Sequence, residues 1–151
     1  MRISLVWVAP LAAVGVLAAS SPALATTPTV QARASAICAR IQKQIVQLPA
    51  SVSTMKKVTP ANGDRWLASL VSAFRGLQVQ LGALRPPAGE RTDWREMTSG
   101  FGAASKGFAT AKRLLDRGDR TGFERAGRAA AEQAGRAAGI AEELDLGECG
   151  P

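Results

Sequence analysis

The sequence predicts an all-α fold, an antiparallel up-down-up-down four-helix bundle closed by one disulfide. Three observations carry this expectation. Beyond the N-terminus, apolar residues recur every three or four positions, and no alternating stretch is long enough for a strand. Prolines and glycine-containing turns divide the pattern into four segments. The chain has two cysteines, Cys38 some two turns inside the first segment and Cys149 just past the fourth. An even number of antiparallel helices with short loops brings those two positions to the same end.

The N-terminus reads differently from the rest. Arg2 is followed by a near-continuous apolar run to Ala19, and Ala23-Leu24-Ala25 is a small-x-small cleavage site. Residues 1–25 are therefore expected to be a signal peptide and residues 26–151 a helical domain beginning near Thr26. After that cleavage no stretch approaches the roughly 20 apolar residues of a membrane span, so the expected location is secreted or extracytoplasmic. In an oxidising compartment, two cysteines most simply form one bond, Cys38–Cys149. That bond is expected to stabilise the fold by about 4–5 kcal/mol in the chain-entropy treatment, because it closes so long a loop.

The first helix is read over residues 30–48, with Val30, Ala34, Ile37, Ile41, Ile45 and Leu48 on one face and Pro49 as its stop. A linker containing Pro60 follows, with Asp64 as the expected N-cap of the second helix. Leu67, Leu70, Phe74, Leu77, Leu81 and Leu84 form that helix's stripe, and Pro86-Pro87 ends it. The third carries Trp94, Met97, Phe101, Ala104, Phe108, Ala111 and Leu115. Strict alternation of three and four is the seam of helices packed at shallow angles. The fourth, over residues 122–144, points Phe123, Ala126, Ala130, Ala134, Ala137, Ala141 and Leu144 inward. Beside that stripe runs another of small residues, Gly127, Ala131, Gly135 and Gly139, expected to let a neighbouring helix approach closely. Gly147 is expected to allow the tail to fold back towards Cys38.

Composition removes several function classes. The sequence contains no histidine, which excludes Ser-His and Cys-His nucleophilic catalysis. No phosphate loop or dinucleotide fingerprint is present, and no cofactor or metal is expected. The acids Glu142, Glu143, Asp145 and Glu148 lack the spacing of a calcium loop and are expected to be solvated or to pair with Arg33 and Arg40. The tripeptide Arg117-Gly118-Asp119 is explained by helix punctuation, with Gly118 at a left-handed position and Thr121 and Glu124 as a capping box. The chain is expected not to be an enzyme.

The formal net charge is +7, one of the positive charges being Arg2. In the bundle, Lys56, Lys57, Arg113, Arg117, Arg120 and Arg125 gather at one tip, a candidate contact for anionic polymers or lipid headgroups. Nucleic acid is not expected, since no aromatic stacking platform accompanies the charge.

The layout resembles small secreted Ala/Arg-rich helical proteins of actinobacterial type. The matching residues are Ile37-Cys38 with Arg40, Arg85-Pro86-Pro87, the turn Arg117-Gly118-Asp119, and Leu146-Gly147-Glu148-Cys149-Gly150. The resemblance implies a secreted helical domain and carries no assigned activity or site. The reading favoured is a non-enzymatic bundle acting through its surface on a protein or anionic envelope partner; the alternative is a carrier of a small apolar ligand inside the bundle. A cavity between the fourth helix and its neighbours favours the carrier, and a filled core favours the surface.

Overall fold

The computed structural model describes residues 28–46, 60–147 and Cys149. Residues 1–25, expected to be a signal peptide, and Leu48, Lys56, Lys57 and Glu148 lie outside the described residues. Among those described, the fold is all-helical: α1 (Val30–Val46), α2 (Pro60–Gly82), α3 (Arg91–Asp116) and α4 (Arg120–Glu143), with a short 3-10 turn at Ala88–Glu90 before α3.

Helices α1 and α4 begin where a side chain accepts from a free N–H of the first turn. Thr29 Oγ1 accepts from the Ala32 N–H (3.1 Å) ahead of α1. Helix α2 starts at Pro60, a full turn before the expected cap at Asp64. Proline suits the first helical position because it has no N–H to leave unsatisfied there, so the "NGD" stretch is absorbed into the helix. Asp64 instead pairs with Lys112 of α3. Helix α4 likewise starts earlier than expected. Asp119, not Thr121, is its cap, accepting from the Gly122 N–H at 2.8 Å, and Glu124 pairs with Arg120 rather than closing a capping box.

The α2 and α3 stripes form the core as the spacing predicts. Leu67, Leu70, Phe74, Leu77 and Leu81 are buried against Trp94, Met97, Phe101, Ala104, Phe108, Ala111 and Leu115. Phe74 stacks on Phe101 (centroids 6.1 Å apart) and Phe108 (5.5 Å). The polar atoms within this seam are satisfied. The Trp94 indole N–H donates to the Leu81 carbonyl (3.0 Å), and the Ser105 hydroxyl to that of Val71 (2.9 Å). Together with Lys112–Asp64, these contacts run in opposite order along the two helices, the register of an antiparallel pair.

Helices α3 and α4 make the tightest approach. A Cβ on Gly100 would lie 2.9 Å from Ala137 Cβ, and one on Gly107 2.7 Å from Ala130 Cβ. The close contact therefore uses glycines of α3 against the alanine stripe of α4. The stripe expected to serve this purpose, Gly127, Gly135 and Gly139, does not: a Cβ on any of them meets nothing within 4 Å.

The substantial helix contacts among the described residues are α3 with α4, α2 with α3, and a smaller one of α1 with α2. In the last, Gly76 lets Ile41 Cδ1 approach to 3.3 Å of where a Cβ would be, and Arg40 donates to Gln80. Helices α1 and α4 form no comparable packed face. What ties them is the disulfide Cys38–Cys149, with Cα atoms 4.5 Å apart and both residues buried. The tail reaches Cys38 through Asp145, which adopts φ +58°, and not through Gly147. Two backbone bonds fix this turn: Leu146 N–H to the Ala141 carbonyl (2.8 Å) and Asp145 N–H to that of Glu142 (3.0 Å). Leu146 follows into the core and is fully buried.

Candidate functional site

The weakly packed seam between α1 and α4 leaves an apolar cleft of about 540 Å³. Its floor is Leu67, Leu70 and Phe74 of α2 with Phe108 of α3. Ile45 of α1 and Trp66 of α2 form one wall, and Phe123, Gly127, Ala131 and Ala134 of α4 form the other. The physical cause lies in the size of the α4 residues. Gly127 and Ala131 project too little volume to fill the space between α4 and α1, so the walls do not close over the buried floor. Trp66 and Phe123 are accordingly only half-buried, although both sit against the core.

Two ionisable groups reach this cleft, Glu124 and Arg128, both on α4 and both exposed. Glu124 Oε1 accepts from Arg120 Nε at 3.1 Å. Arg128 has no ion pair among the described residues. Around the helix from Arg128, a second and more polar groove is lined by Thr121, Glu124, Arg125, Arg128, Ala129 and Glu132. Arg128 therefore stands on the ridge between an apolar cleft and a polar groove.

The other cations expected at this tip are distributed over the end of α3 and the start of α4. Arg113 is exposed, and its Nη2 donates to Thr110 Oγ1 at 3.1 Å. Arg117 caps the end of α3, and Arg125 is exposed on α4. Arg120 is paired with Glu124. Lys112 lies between Asp64 and Asp116, the latter at 3.3 Å. The hydrogen bonds that Lys112 donates to Asp64 and then to Asp116 raise its pKa above the ordinary lysine value. The pairing thus holds through neutral pH and is lost as pH rises past the lysine range. The tip is a mixed surface with part of its positive charge already met by carboxylates.

Gly118, in the tripeptide Arg117-Gly118-Asp119, does sit in the left-handed region, at φ +74°. Its N–H donates to the Leu115 carbonyl, and the Asp119 N–H to that of Leu114. The tripeptide is the end of one helix and the cap of the next. The expected pairing of the C-terminal acids with Arg33 and Arg40 is absent among the described residues, and Arg40 is bonded to Gln80 instead.

Sequence reasoning missed the cleft residues as a group. Ile45, Phe123 and Ala134 read as core positions, and Trp66 as flanking one. The sequence signal for the site is the small-residue stripe beside Phe123, expected to admit a neighbouring helix closely or, in the carrier alternative, to border a cavity; it faces open space. Comparison of this chain with models of known protein families, with curated proteins and with solved structures finds no match.

Proposed function

We propose that the protein is a non-enzymatic carrier that holds a small apolar molecule in the cleft between α1 and α4. One observation carries this reading: a cleft of about 540 Å³ faced by four aromatic rings, Trp66, Phe74, Phe108 and Phe123. Ligand sites typically occupy about 300–1,000 Å³ and are lined by apolar and aromatic side chains with few polar groups. Burying the half-exposed rings under a ligand is favoured by roughly 25 cal/mol for each Å² of apolar surface removed from water. Reaction chemistry has little support at this site, since Glu124 and Arg128 are the ionisable lining residues among those described. We read the chain as an exported carrier, a location with which the disulfide is compatible. The alternative of a surface acting on an anionic envelope partner rests on tip cations, some of which are already paired with carboxylates.

Native mass spectrometry of protein purified from the producing cells tests the carrier reading. A bound low-mass molecule extractable into organic solvent is expected. Gly127→Leu, which builds a side chain into the open space of the cleft, should lower the retained fraction while leaving the helical circular dichroism intact. A wild-type protein that retains nothing and binds no added apolar probe overturns the proposal, as does undiminished retention by Gly127→Leu.

A further inference from the structure

We infer that the occupant of the cleft is a free single-chain amphiphile with an anionic, carboxylate-type headgroup, its chain among the aromatic rings and its headgroup at Arg128. This inference rests on the carrier reading and adds to it the chemistry and orientation of the ligand. The cleft is graded. Its floor and both walls are apolar, and its charged groups lie together on the outer edge of α4. A wholly apolar ligand would use the first feature and ignore the second.

The sign of the unmet charge selects the headgroup. Among the described residues Glu124 is the one carboxylate lining the cleft, and it is engaged by Arg120 at 3.1 Å within its own helix. Arg128, one turn further on, is exposed and has no ion pair among the described residues. Glu132 lies a further turn along, in the adjacent polar groove, without pairing to Arg128. Arg125 shares that groove and adds a second cation beside the first. A guanidinium presents its N–H donors in a planar fork that matches a carboxylate, and such bonds are stronger than those between neutral groups. An alcohol headgroup cannot accept both donors with charge, and an ammonium headgroup is repelled by Arg125 and Arg128.

The test uses the full chain with its disulfide formed, delipidated, and titrated with dodecanoate, dodecanol and dodecylamine while Trp66 fluorescence or binding heat is followed. Dodecanoate should bind about fivefold more tightly than dodecanol, the upper range for an exposed ion pair, and dodecylamine should be weakest. Arg128→Gln should bring dodecanoate affinity down to that of dodecanol in the same variant, and Arg128→Lys should keep part of the acid preference. Equal affinity for acid and alcohol in the native chain overturns the headgroup assignment, as does an acid preference that survives Arg128→Gln. If the three ligands bind equally and Gly127→Leu weakens them all, the cleft reading stands and the headgroup inference alone is lost. If none binds, both are lost.

Discussion

At Asp145 the backbone turns back on itself with φ +58°, a conformation that costs an L-residue about 1–2 kcal/mol and glycine almost nothing. The equivalent turn after α3 uses Gly118 at φ +74°. Both turns carry the same pair of backbone bonds, and both release the chain in a new direction. The second turn could not be placed from sequence because a glycine, Gly147, stands nearby and offers the more economical choice. What overrides it is Leu146, which must follow the turn directly to become fully buried. Asp145 is exposed, so Asp145→Gly should raise stability by about 0.5–1 kcal/mol. A urea denaturation midpoint that stays the same or falls would show that the aspartate side chain makes up for its strain.

Glycine has opposite meanings on the two helices that pack most closely. On α3, Gly100 and Gly107 are spacers without which Ala137 and Ala130 could not approach. On α4, Gly127, Gly135 and Gly139 face open space. Sequence shows both sets as small residues at helical spacing and cannot distinguish contact from vacancy, because that depends on where the neighbouring helix lies. The prediction is therefore paired. Gly135→Ala should stabilise by about 0.5–1 kcal/mol, since helix propensity alone acts there. Gly107→Ala should destabilise by about 1–3 kcal/mol despite the same propensity gain, because the new methyl meets helix backbone as well as Ala130 Cβ. Thermal unfolding of the two variants side by side checks this, and equal shifts would contradict it.

Across the whole molecule, the α2–α3–α4 layers are held by packing, whereas α1 has a small contact with α2 and a covalent tie to the tail after α4. The bond closes a loop with a sequence separation of 111 residues. Cys38→Ser with Cys149→Ser should cost about 4–5 kcal/mol, the denatured chain gaining the freedom that the crosslink removes. Hydrogen exchange should then rise in α1 before it rises in α3, because α1 has the fewest packing partners. Uniform protection in the double variant would show that α1 is held by packing after all. The same sparse packing creates the cleft, so loss of the disulfide should also weaken ligand retention.

The amino-acid sequence alone determined the helix count, the core stripes of α2 and α3 and the pairing of the two cysteines. These follow from short-range rules: the helical period, the breaks at proline, and the fact that two thiols allow one bond. It did not determine where α2 and α4 begin, since Pro60 offers a first helical position a turn ahead of Asp64 and Asp119 competes with Thr121 as a cap. Nor did it reveal the cleft. Trp66, Phe123 and Arg128 are far from Ile45 along the chain, and the space between them exists only because α1 leans on α2 and leaves α4. A void is a property of what two helices fail to fill, and only the tertiary arrangement specifies that.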